Sequence, residues 1–137
     1  MGRVVGVDPG TKRIGVAVSD SARSLAFPRS SVAAGEAGMR ALVDIVHEIG
    51  ADLVVVGRPV SLSGGETSST AVADEIRRQL VEELPEIDVV ATDERLSTVS
   101  AAKQMHSAGV RSRAQRSLID SAAATVLLQG FLDALAE

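Results

Sequence analysis

The sequence predicts an α/β domain built on a mixed five-stranded sheet, and three observations predict it. Residues 3–7 and 14–19 are Val-rich and bracket a short turn, with a third strand expected over 24–33; that is the signature of antiparallel neighbours. Residues 51–57 (ADLVVVG) and 87–92 (IDVVAT) are short, nearly continuous apolar runs, as in parallel strands buried on both faces. Helical periodicity precedes, separates and follows those runs. Three early strands followed by helix–strand–helix–strand give strands 1–3 antiparallel, strands 4 and 5 parallel, and helices flanking the sheet.

The elements follow in order. In the second strand Ile14, Val16 and Val18 share one face, while Gly15 and Ala17 share the other, where a neighbour must approach closely. Pro28 marks the third strand as an edge or bend. Met39, Leu42, Val43, Val46 and Ile49 make the stripe of a helix over 36–49, closed by Gly50. Val72, Ile76, Leu80 and Leu84 make that of a helix over 66–84, with Pro85 after it. A short helix is expected over 98–108, ended by Gly109. A long one is expected over 114–136, with a stripe at Ile119, Ala122, Ala123, Val126, Leu127 and Gly130.

The 137 residues suit one domain spanning 1–137. The absence of cysteine excludes disulfides, thiolate catalysis and zinc–cysteine sites. No apolar run reaches the roughly 18 residues of a membrane span, and the N-terminus lacks a signal pattern, so a cytoplasmic protein with no membrane partner is expected. Phe27 and Phe131 are the only aromatics, which argues against base-stacking platforms. Charge is unevenly placed. Residues 36–94 hold thirteen acids and four bases, whereas 95–119 hold five bases (Arg95, Lys103, Arg111, Arg113, Arg116) and no acid. A basic face on an acidic protein suits phosphates, and a solvated helix and loop would show the same bias.

Functional groups in such sheets gather at the carboxyl ends of the parallel strands. Asp8 ends the first strand, although DPG is also ordinary turn chemistry. Glu94 ends the last strand, and parity from Val90 and Thr92 puts it on their face; Ser97 or Thr98 would equally serve as a helix cap beside a solvated acid. Asp120 falls at the edge of an apolar helical stripe, where a carboxylate needs a cation or an arginine. Small residues from Ser121 to Ala124 let that helix approach the sheet. Three carboxylates of this kind suit Mg²⁺ or Mn²⁺, and such sites cleave phosphodiesters. Thr11, Lys12, Arg13, Arg95 and Ser97 would then hold backbone phosphates. Of the two histidines, His47 reads as helix surface and His106 as near the substrate.

The strings GVDPGTKRIGVAVSD, VVVGRPVSLSGGE, DERLST and IDSAAATVLLQ, in this order and over nearly the whole chain, resemble the YqgF (RuvX) family. Its members are RNase H-like nucleases described as Holliday junction resolvases and as pre-16S rRNA nucleases. The resemblance implies an RNase H-like fold, a divalent-metal nuclease and a role in maturing the 5′ end of 16S rRNA. It places the family's acidic positions on Asp8, Glu94 and Asp120, and its turn and loop positions on Gly10, Thr11, Gly57, Pro59, Arg95, Ser97 and Thr98. Arg58 departs from the family's usual apolar residue and either adds a phosphate contact or is simply tolerated there, and Pro9 stiffens the turn. RuvC-type resolvases use four carboxylates, and this chain offers three.

The expected partner is structured RNA, pre-16S rRNA free or on the ribosome, bound also by Arg111, Arg113 and Arg116. Branched DNA is the alternative. A two-fold symmetric junction calls for a homodimer, and a monomer favours rRNA. Two readings of other classes stand beside these: an ATPase turn at DPGT, which needs a second domain, and a non-catalytic nucleic-acid module, which has no use for Asp120.

Overall fold

The computed structural model describes residues 2–10, 12–59, 68–93 and 121–136. The elements among them are β1 (Arg3–Asp8), β2 (Arg13–Ser19), β3 (Ala26–Ala33), α1 (Glu36–Ile49), β4 (Ala51–Arg58), α2 (Ser68–Glu83), β5 (Asp88–Asp93) and α3 (Ala122–Ala136). The sheet order is β3-β2-β1-β4-β5. β2 is antiparallel to both β1 and β3, whereas β4 is parallel to both β1 and β5. This is the expected mixed sheet. The helix expected over 98–108 and the first part of that over 114–136 lie outside the described residues.

Helices cover both faces of the sheet, which is why its central strands carry no polar alternation. Val5, Val7, Ile14, Val16, Val54 and Val56 pack against Met39, Leu42 and Val46 of α1 and Ile76 and Leu80 of α2. Val4, Ala17 and Val55 pack on the other side against Ala124, Leu127, Leu128 and Leu132 of α3. The close neighbour expected on the Gly15–Ala17 face is therefore α3. Gly6 faces it too: a Cβ on Gly6 would stand 2.9 Å from Leu128 Cβ. The β1–β2 turn is equally tight, since a Cβ on Gly10 would meet the Arg13 carbonyl oxygen.

One packing expectation needs correction. Ala122 and Leu127 of the expected stripe are buried, but so are Ser121, Ala124, Leu128 and Leu132, which lie outside it, while Ala123 and Val126 are only half-buried and Gly130 is exposed. The segment is apolar around nearly its whole circumference, so periodicity alone does not select a face. The backbone approach at Gly6 selects it. Gln129 then ties α3 to the edge of the sheet: its Oε1 accepts from Ala26 N–H (2.9 Å) and its Nε2 donates to the Ser24 carbonyl (2.9 Å).

Candidate active site

Asp8 is the last residue of β1 and is half-buried. Alternation sets its face: Val4 and Gly6 point to α3, and Asp8 continues that row. Its register partner on β2 is Gly15. On β4 the parallel register, Val7 opposite Val56, brings Gly57 alongside. Neither flanking strand therefore places a side chain beside the carboxylate. Gly57 is paired in turn with Thr92 of β5, and Val90, two residues earlier, packs with the α3-side cluster. The Val90–Thr92 face is thus the Asp8 face, which the sequence left undecided. Among the described residues none forms an ion pair or side-chain hydrogen bond with Asp8.

Across this face, α3 begins against β2. The β2–β3 register breaks between Ile14 and Val16, where Val32 to Arg29 on β3 spans one residue more than the two strands share. At that bulge the Val16 N–H is donated to Ser121 Oγ at 3.0 Å, and Ser121 is fully buried. Bulges of this kind re-aim backbone groups beside active sites. The sequence showed Ser121 only as a small residue. Its signal was a hydroxyl next to a candidate acid.

None of the described basic candidates is ion-paired with Asp8. Lys12 and Arg13 are exposed where the turn enters β2. Arg58 follows Gly57 and so takes the opposite face of the sheet, toward α2. There its Nε donates to Asp74 Oδ1 at 3.0 Å and its Nη2 to Oδ2 at 3.4 Å. The Thr70 hydroxyl donates to the Pro59 carbonyl beside it, so two contacts fasten α2 to the end of β4. Thr11, Glu94, Arg95, Ser97, Arg111, Arg113, Arg116, Asp120 and His106 lie outside the described residues; His47 is exposed, as expected. Among the described residues no three acidic or histidine groups cluster.

Two carboxylates have titrations shifted by identifiable partners. Ser24 N–H, followed by Leu25 N–H and the Ser24 hydroxyl, holds the Asp20 carboxyl below its usual range. The Arg78 guanidinium, helped by the Gln79 amide, holds Glu75 at about 2. An apolar groove of about 420 Å³, lined by Ile14, Met39, Val72 and Ile76, opens beside Gly10 on the α1–α2 side. Asp8 does not line it.

The fold agrees with that of known proteins. A model of the family RuvX, described as Holliday junction resolvase, matches residues 2–134. The chain belongs to the RuvX family. A relative from Corynebacterium jeikeium (strain K411), named "Putative pre-16S rRNA nuclease", is 45% identical over 134 residues, covering 96% of this chain and 86% of that one. A relative from Leifsonia xyli subsp. xyli (strain CTCB07) with the same name is 44% identical over 132 residues, covering 95% and 84%. Among solved structures, T. thermophilus RuvC in complex with a Holliday junction substrate superposes with a TM-score of 0.60 at 16% identity, covering 99% of this chain and 97% of that one. The fowlpox virus Holliday junction resolvase gives 0.60 at 12% identity, covering 97% and 99%. These likenesses show that the RuvX chain has the RNase H-like fold. Family and relatives agree on a nuclease, an enzyme that hydrolyses phosphodiester bonds.

Proposed function

We propose that this RuvX nuclease is divalent-metal-dependent, that Asp8, Glu94 and Asp120 hold Mg²⁺ or Mn²⁺, and that it matures the 5′ end of pre-16S rRNA in the cytoplasm. The observation that carries the reading is Asp8: a half-buried carboxylate at a strand end, flanked by Gly15 and Gly57, with no protein cation among the described residues. Withdrawing a carboxylate from water without a partner is costly, and a hard cation with oxygen ligands relieves that cost. The donor set fits such an ion. Glu94 joins Asp8 if the parity of Val90 and Thr92 continues, and Asp120 directly precedes Ser121, whose hydroxyl is held on β2 beside Gly15.

A metal ion bound there activates water and stabilises the leaving oxygen of a phosphodiester. The chain's own residues do the rest. Thr11, Lys12 and Arg13 at the turn, Arg95 and Ser97 after β5, and Arg111, Arg113 and Arg116 hold backbone phosphates and orient the strand. Arg58 is held by Asp74 on the opposite face of the sheet. The relatives' names favour rRNA, whereas the family description and the RuvC-like fold keep branched DNA as the second reading.

The test incubates pure protein with pre-16S rRNA and with a four-way DNA junction, in Mg²⁺, Mn²⁺ or EDTA. Cleavage of the rRNA that EDTA abolishes, by a monomer, is the expected result. Cleavage of the junction alone, by a dimer, would transfer the activity to DNA. Asp8→Asn, Glu94→Gln and Asp120→Asn should each lose orders of magnitude in rate while still binding RNA. Wild-type rates in all three would overturn the site.

A further inference from the structure

We propose that Ser121 is a positioning residue for the metal site: its hydroxyl, locked onto the Val16 N–H, fixes the start of α3 at the residue next in sequence to Asp120. The inference rests on the reading of Asp8 and Asp120 as metal ligands.

Three observations carry it. Ser121 is closed off from solvent: its relative accessibility is 0%, and its Oγ accepts from a backbone donor 105 residues away in sequence. That donor is available because the β2–β3 register breaks at Val16. In an unbroken ladder an inner strand's N–H groups are taken by its neighbours. The bulge and the hydroxyl therefore form one device, a main-chain donor turned out of the sheet and a helix start fastened to it. The anchor is also local to the site. Val16 adjoins Gly15, the register partner of Asp8, and Ser121 is next in sequence to Asp120, so the anchor acts one peptide bond from a proposed ligand. Further along the helix the packing does not specify this end so closely. Leu128 and Leu132 seat the middle of the helix on the sheet, and the Gln129 bonds secure its far half at the start of β3.

A group that holds a ligand in place, without touching the ion, typically changes metal affinity 10–100-fold when removed. The experiment compares the full-length wild type with Ser121→Ala, Ser121→Cys and Gln129→Ala. Three quantities are read: Mn²⁺ affinity by titration of free Mn²⁺ in electron paramagnetic resonance, hydrogen exchange of the Val16 amide, and thermal midpoint. Ser121→Ala should weaken Mn²⁺ about tenfold or more and speed Val16 exchange. Cleavage should recover toward the wild-type rate as Mn²⁺ is raised. Gln129→Ala, which removes hydrogen bonds from the same helix, should lower the midpoint and leave Mn²⁺ affinity within about twofold. Ser121→Cys, close in size and a weaker acceptor, should fall between wild type and Ala, and it decides the matter if Ser121→Ala does not fold. Wild-type Mn²⁺ affinity in the folded Ser121 variants, or an equal loss in Gln129→Ala, would overturn the positioning role while leaving the metal site standing. Absence of Mn²⁺ uptake by the wild type would overturn the metal reading itself, and this inference with it.

Discussion

Gly6→Ala should destabilise the protein, although a glycine inside a strand ordinarily gains from replacement. The added Cβ would lie 2.9 Å from Leu128 Cβ and 3.4 Å from the Ala124 carbonyl oxygen. Carbon atoms in contact prefer about 3.5–4.0 Å, so α3 must withdraw by at least about 0.6 Å. The obstacle is the Leu128 Cβ itself, which moves only with its backbone, so no rotamer change relieves it. Withdrawal opens a gap along Ala17, Val55 and Leu127, and a gap of that size forfeits about a quarter to a half of the attraction across it. Overpacking of this kind costs about 1–3 kcal/mol, against roughly 0.5–1 kcal/mol regained from glycine's backbone entropy. The net loss is about 1–2 kcal/mol, or roughly 3–8 °C in the midpoint for a domain of this size. Thermal and urea unfolding of both proteins measure it. Leu128→Ala retains the Cβ and should add its own cavity cost of about 2–5 kcal/mol instead of rescuing. A Gly6→Ala protein that melts at or above wild type would refute the close approach of α3.

Glu75, held at about 2, contributes stability above its unfolded value near 4.5 and loses it as pH falls toward 2. Arg78→Ala should therefore return the Glu75 titration, followed by carboxyl NMR, toward 4.5 and flatten acid unfolding in that window; an unmoved titration would exclude Arg78 as the cause. The Arg58–Asp74 pair, with side chains 31% and 51% accessible, should show a coupling of at most about 1 kcal/mol in a double-mutant cycle of unfolding. If Arg58 leaves Asp74 for a phosphate, Asp74→Ala should tighten RNA binding, and unchanged binding would confine Arg58 to holding α2. Replacing Arg111, Arg113 and Arg116 with Ala should lower the salt slope of RNA binding by about 0.7–0.9 for each phosphate that is no longer neutralised; an unchanged slope would remove that segment from the interface.

The elements and their kinds were legible in the chain, because strand and helix periods are local properties. Val-rich runs became strands, Met39, Leu42 and Val46 became the inner side of α1, and Asp8 stood at a strand end. It also showed, through Gly15 and Ala17, that one face of β2 had a close neighbour. Tertiary structure decided everything that joins distant segments. An almost uniformly apolar helix gave no local reason to bury Leu128 rather than Val126; the missing Cβ of Gly6 supplied it from across the sheet. The sheet register, not Asp8's own neighbours, cleared its flanks with Gly15 and Gly57. Strand alternation, invisible until α2 and α3 took opposite faces, turned Arg58 toward Asp74 and away from Asp8. The Val16–Ser121 bond needed both a bulge and a helix start 105 residues later. Such contacts are set by which backbones approach one another, and that follows from packing the whole chain.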